Sequence, residues 1–369
     1  MVPLPSVPAV RFEPHLADLL ARAAVADHRI GRADAGARST LAQAARRERA
    51  RATVRLDASP LMDATADAVD AGEGPRRPQA PADAVAPPHR AGRTDAGGWA
   101  RALQLQGMPT EEVAALEYSN ALAGDALAED LAEVVFSRPR EVLTVLHAEV
   151  CRGLVEPEVV GRLRRTSQAV HDGAQGLMVY SAPEPEAVPD GFDALLAWLR
   201  EGSAMLPALL AAGTAELRML ELCPFEAANG RTARLLARVV SVARGFDRHG
   251  LGVPERAALA DPLAYYREVA ASIRRRGDVT GWVERHAEAV VLTLEEAAAA
   301  LDPLPAPPVS ATAVAAPAAT DVRDGDTLVD LARRTGVSLG EARVLVDSLL
   351  ASGAVEQMPG SHGLRLIRR

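Results

Sequence analysis

The stretch LELCPFEAANGRTARLL, residues 220–236, joins an apolar helical run to a second helix through a Pro-Phe pair and a small polar loop. Ala228, Asn229 and Gly230 are small or tolerant of left-handed backbone, so the chain can curl there and aim successive N–H groups at one point. A helix beginning near Arg231 adds its positive end at that point. An anion suits such a nest. Arg231 and Arg234 stand one turn apart on one side of the helix, where two guanidinium groups can grip oxyanions bidentately. Spacing alone leaves two readings open: an anion site, or an Asn-Gly cap and turn with solvated arginines.

The composition around this stretch predicts a mainly α protein. Of 369 residues, 48% are hydrophobic but only 3% aromatic, so the apolar mass is Ala, Leu and Val, which suits close-packed helices. The net charge of −8 argues against broad electrostatic attraction to nucleic acid. The sequence contains no Lys, so every Lys/Arg-type cation is an Arg. The two cysteines, Cys151 and Cys223, are too few for a disulfide framework and lie in no metal-binding spacing. A reducing cytoplasm fits. The N-terminal stretch has no leader pattern, and no apolar run approaches the roughly 18 residues of a membrane span, so a cytoplasmic protein with no membrane contact is expected.

Two Pro/Ala/Gly-rich segments, residues 72–98 and 302–320, read as linkers and divide the chain. Residues 1–71 carry an N-terminal helical segment of two or three helices, one of them opening with a Ser39-Thr40 cap. Residues 99–301 form the main domain. There, GWARALQLQ, the stretch from Thr110 to Phe136, and PREVLTVLHAEVCRGL each show helical periodicity, with His147 on an apolar face as a core histidine. Leu177, Met178, Val179 and Tyr180, set between glycines and prolines, predict a small β-hairpin flap in an otherwise helical domain. His171 beside it is given no role. Residues 321–369 read as helix, turn, helix and wing, with strands around Pro359 and Gly360.

The run CPFEAANGRTAR resembles the active-site motif of the Fic (Fido) family, His-Pro-Phe-x-(Asp/Glu)-Gly-Asn-Gly-Arg-x-x-Arg. Pro224, Phe225, Asn229, Gly230, Arg231 and Arg234 match in register. The resemblance covers residues 99–301 and implies a helical Fido core with a target-docking flap at Leu177, Val179 and Tyr180. It also implies transfer of AMP from ATP to a protein hydroxyl, with Asn229, Gly230, Arg231 and Arg234 holding the nucleotide phosphates and Arg234 nearest the γ-phosphate.

This sequence departs from the pattern where the chemistry is done. The family's proton-accepting His is Cys223, whose thiol, with an ordinary pKa of about 8.5, is mostly protonated at neutral pH. Cys223 acts as a base only if the loop dipole and the arginines lower that value; otherwise it is an inert buried residue. The family's acid, which holds Mg²⁺, is Ala227, and a methyl group cannot ligate a hard cation. Glu226, one residue earlier, replaces it only with a shift of the backbone. The next glycine is Ala228. The expectation is therefore ATP or another nucleotide as ligand, no metal ligand in the motif, and AMP transfer that is impaired or lost. The alternative is a non-catalytic scaffold.

Many family members carry an inhibitory helix with (Ser/Thr)-x-x-x-Glu-(Gly/Asn), whose carboxylate pairs with the second motif arginine. Thr53-Val-Arg-Leu-Asp57-Ala58 looks like a weakened copy, with Asp57 as the inhibitory acid. A solvated helix-end Asp is the competing account, since Asp is one methylene shorter than Glu. At the other end of the chain, Arg343 is the one cation of the winged helix's candidate reading helix, and residues 321–369 carry seven arginines against seven acids. Both DNA and a docked protein, including a second copy of the chain, stay open as partners.

Overall fold

The run ALLAAGTAELRMLEL just before the motif puts apolar side chains on every face, and a helix of that kind is stable only when surrounded. Every residue from Leu209 to Leu222 is buried. The computed structural model describes residues 8–74, 108–156, 158–171, 178–275, 277–301, 355–357 and 366–368. Contacts divide the chain into two units, Met1–Asp302 and Pro303–Arg369. In the first, the described helices are α1 (Pro14–Arg32), α2 (Ala35–Leu56), α3 (Asp63–Asp70), α4 (Thr110–Ala126), α5 (Ala128–Ala132) and α6 (Pro139–Val150). They are followed by strands β1 (Ala169–His171) and β2 (Met178–Ser181), then α7 (Val188–Ala197), α8 (Ala208–Leu222), α9 (Asn229–Ala243), α10 (Pro254–Ala260), α11 (Pro262–Arg274) and α12 (Thr280–Leu301).

Helix α8 is the axis of this unit, and α9 packs along it after the motif loop reverses the chain. Leu143 and Leu146 of α6, Leu217 and Met219 of α8, Leu236 and Val239 of α9, and Trp282 and Val283 of α12 meet in one core. The N-terminal helices join the same unit. Leu16, Leu19, Ala23, Ala26 and Ile30 form the buried stripe of α1, which packs against α12. Helix α2 begins before the expected Ser39-Thr40 cap because Asp34 accepts the Ala37 N–H at 2.8 Å and nucleates the helix earlier. The stretch from Thr110 to Phe136 breaks into α4 and α5 at Leu127.

Arg49 clasps α2 to the body of the unit. Its Nε and Nη2 donate to the two Asp125 oxygens at 2.6 and 3.0 Å, and its Nη1 donates to the Gly252 carbonyl at 2.8 Å. Removing one partner of a buried pair like this leaves an uncompensated charge and costs about 3–5 kcal/mol, so the contact fixes where the end of α2 falls.

The flap forms where the sequence places it. β1 and β2 pair antiparallel, Val170 opposite Tyr180 and Ala169 opposite Ser181, with an irregularity before His171. Tyr180 is buried and Val179 half-buried. Leu177 lies outside the described residues, as do the helix expected in GWARALQLQ, residues 75–98, the linker 302–320 and the two helices expected in 321–353. In the second unit β3 (Val355–Gln357) and β4 (Leu366–Arg368) pair antiparallel on either side of Pro359 and Gly360. Among the described residues, no helix is long and apolar enough to cross a membrane.

Candidate functional site

Helix α8 ends when Cys223 turns left-handed, at φ 43° and ψ 64°. The chain then crosses the core as Phe225, fully buried and stacked on His147 with ring centroids 4.2 Å apart. A second left-handed residue, Ala228 at φ 55°, swings it into α9. Asn229 closes the loop between them: its Oδ1 accepts the Phe225 N–H at 2.9 Å, and its Nδ2 donates to the Phe225 carbonyl at 2.8 Å and to Gln168 Oε1 at 3.1 Å. Gln168 in turn donates to the carbonyls of Phe225 and Glu226, both at 2.9 Å. The strand leading to the flap is thereby fastened to the loop.

Arg164 is the other fastening. Its buried guanidinium donates to the carbonyls of Cys223 at 2.6 Å, Thr166 at 2.7 Å and Pro183 at 2.5 Å. It caps the last turn of α8, where unpaired carbonyls and the negative helix end favour a cation. Neither Arg164 nor Gln168 carries a signal in the sequence, because both act across nearly sixty residues on backbone atoms.

Arg231 and Arg234 do face one side, and an acid stands between them. Asp57, the first residue past α2, brings Oδ1 to 2.6 Å from Arg234 Nη2 and Oδ2 to 3.2 Å from Arg231 Nε. Thr53, one turn earlier, accepts from Arg234 Nε at its hydroxyl (2.5 Å) and from Nη2 at its carbonyl (3.0 Å). The shorter Asp reaches because Ala58 is left-handed, at φ 61°, so the chain turns away right after the carboxylate. Gly230 provides the seat. A Cβ at position 230 would stand 2.6 Å from Asp57 Oδ1 and 3.1 Å from both terminal nitrogens of Arg234.

A second acid, which the sequence analysis missed, completes the cluster. Glu117 of α4 places Oε1 3.3 Å from Arg231 Nη2, and both side chains are about 95% buried, at 6% and 5% exposure. Burial pushes the Glu117 carboxyl up, against the pull of Arg231. Its signal was present: Glu117 shares the buried face of α4 with Val113, Asn120 and Gly124, and a charged residue on such a face needs a buried partner.

The Cys223 and Ala227 side chains are chemically quiet. Cys223 is buried, its thiol donates to the Leu220 carbonyl at 3.2 Å, and burial pushes its pKa up to about 11, outweighing Arg164. At neutral pH it is a thiol with no basic lone pair to offer. Ala227 is buried, and its carbonyl accepts from His147 Nε2 at 3.1 Å. Glu226 does not take the place of the missing acid. Its oxygens accept from the Arg165 N–H and the Thr166 hydroxyl, both at 2.6 Å, and so face the strand side of the loop. Among the described residues, no group of three or more His, Cys, Asp or Glu is placed to hold a metal ion. Within the motif loop, the Ala227 side chain offers a metal no oxygen, and the Glu226 carboxylate is turned to the strand side.

His147 is a structural histidine. The Gly161 N–H donates to its Nδ1 at 2.9 Å, which leaves Nε2 as the donor to Ala227. Burial lowers its pKa to about 4. As pH falls, the unfolded ring, with an ordinary value of about 6.5, takes up a proton first. The neutral folded ring therefore supports the fold fully above pH 6.5, and that support, about 3 kcal/mol, drains away toward pH 4. Urea unfolding across this window should show the slope in the wild type, and His147→Gln should flatten it.

A segment of the chain matches a Fic/DOC family model. That segment, residues 137–241, runs from the approach to α6 through the motif and most of α9. Similar solved structures include a Fic family protein from Desulfovibrio desulfuricans, at 21% identity and TM-score 0.58 over 98% of both chains. A Fic domain containing signaling protein from Bacteroides thetaiotaomicron shares 15% identity at TM-score 0.53, over 77% of this chain and 97% of that one. Fic-1 from C. elegans shares 16% identity at TM-score 0.50, over 77% of this chain and 72% of that one. These likenesses establish the helical Fic fold and its small hairpin. No curated protein matches the chain.

Proposed function

We propose that this Fic-domain protein binds nucleotide phosphates at Gly230, Arg231 and Arg234, that Asp57 competes for that seat, and that AMP transfer is lost. The observation that carries the reading is the Asp57 carboxylate over Gly230, between two buried guanidinium groups. A carboxylate oxygen and a phosphate oxygen present the same anionic acceptor to an arginine. A fold that buries one there has built an anion seat, and the helix end of α9 adds to it.

Loss of transfer follows from what surrounds the seat. A general base contributes about 10²- to 10⁴-fold, and the Cys223 thiol offers none. Charge stabilisation by a metal contributes several kcal/mol more, and no residue of the motif holds one. What the seat supplies is retention and orientation of a phosphate. The fastening of the flap by Arg164 and Gln168 keeps the loop in register whether or not chemistry follows. For residues 321–369 we propose a winged-helix docking module; the β3–β4 pairing supports the wing.

Binding and turnover measured on one sample test this. Labelled ATP is expected to bind, to be displaced by inorganic triphosphate, and to leave no label on the protein or on a cell lysate, with Mg²⁺ or Mn²⁺ present. Strong labelling that disappears in Asn229→Ala would overturn the non-catalytic half of the proposal. Failure of Asp57→Ala to bind any nucleotide or triphosphate would overturn the phosphate half.

A further inference from the structure

The two acids at the site enter it from different kinds of structure. Asp57 lies beyond the last turn of α2, next to a reversal at Ala58, so small changes at one helix end remove it. Glu117 lies in the middle of the 17-residue α4, between Val113, Ala114, Leu116, Tyr118 and Ala121, all buried. Withdrawing it means withdrawing α4 from the core. When a ligand displaces Asp57, Glu117 therefore stays against Arg231.

That arrangement sets the charge the site can take. With Asp57 in place the cluster holds two guanidinium groups and two carboxylates, and it is neutral. With Asp57 gone, Thr53 still holds Arg234 Nε and Nη2, so Arg234 offers Nη1 and the freed side of Nη2, while Arg231 offers Nε and Nη1 and keeps Nη2 against Glu117. The remaining charge is +1, and one phosphate monoester, at about −1.5 to −2 near pH 7, already carries the cluster past neutrality. A second phosphate laid along Arg231 would meet the Glu117 carboxylate, and like charges about 4–5 Å apart repel by about 3–4 kcal/mol at an effective dielectric near 20.

We infer that Glu117 is a specificity-determining residue that tunes the seat to a ligand presenting a single phosphate, a nucleoside monophosphate before a triphosphate. The inference rests on the reading of Arg231 and Arg234 as phosphate-binding, and it names the class of ligand that seat prefers.

The test compares AMP and ATP by calorimetry on the full chain in four forms: wild type, Asp57→Ala, Asp57→Ala with Glu117→Gln, and Asp57→Ala with Glu117→Met. Thermal melting checks that each is folded, and the Met variant provides the comparison if the amide is poorly tolerated. In the wild type and in Asp57→Ala, AMP is expected to bind at least as tightly as ATP. Removing the Glu117 charge in the Asp57→Ala background is expected to tighten ATP tenfold or more while AMP changes less than threefold. Tenfold tighter ATP than AMP in the wild type, or an unchanged ratio on loss of Glu117, would overturn the inference and leave the phosphate seat standing. If no form binds AMP, ATP or triphosphate, the seat itself is wrong and the inference falls with it.

Discussion

Asp57→Ala is expected to raise ATP affinity by about 10- to 100-fold over the wild type while lowering the thermal stability of the unliganded protein. The first effect follows from competition. A hydrogen-bonded contact to a charged group is worth about 1.5–3 kcal/mol, and each 1.4 kcal/mol removed from the closed state is a factor of ten in apparent affinity. The second follows from what remains. Arg234, 4% exposed, would lose its carboxylate partner and keep neutral ones such as Thr53, and stripping a buried charge of its counterion costs about 3–5 kcal/mol. ATP should restore the lost stability by filling the seat, so the melting temperature of the variant should climb with ATP more steeply than that of the wild type. Calorimetry and melting curves on the same preparation check both. An unchanged ATP affinity would mean that Asp57 is a structural acid with no competitive role.

The second large effect concerns chemistry. In the Asp57→Ala background, Cys223→His together with Ala227→Asp is expected to produce AMP transfer at least 10²-fold above any single replacement, with labelled ATP and Mg²⁺. The backbone is ready for both changes. Position 223 already holds a side chain in left-handed backbone, and Arg164 fixes its carbonyl at 2.6 Å. Position 227 is anchored through its own carbonyl by His147, so an acid introduced there changes the side chain without loosening the loop. Each single change supplies a base without a metal ligand, or the reverse, and neither suffices. A triple variant that binds ATP yet transfers nothing would show that more than two side chains separate this loop from an active one.

Much of the site was legible because it is local. Pro224, Phe225, Asn229, Gly230, Arg231 and Arg234 lie within one turn and one helix start, where spacing alone determines which side chains meet. Asp57 was legible as a candidate, but whether its short side chain reaches Arg234 depended on the left-handed turn at Ala58, a backbone choice that no residue type there announces. Glu117, Arg164, Gln168 and Arg49 act across long stretches of chain. Glu117 left a trace as a charge on an apolar helix face; the others touch mainly backbone oxygens or a distant carboxylate and left none.

The order of apolar and small residues by itself determined a helical protein with a hairpin, and a tight loop at the start of α9 that reads as an anion site or as a cap and turn. These depend on periodicity and on the conformations open to Asn and Gly, which are properties of neighbours in sequence. Only the tertiary structure decided that the anion in the seat is the protein's own Asp57, that Glu117 shares Arg231 with it, and that Glu226 faces away. Those outcomes depend on which distant helices pack together, and packing is settled by the burial of the whole core at once.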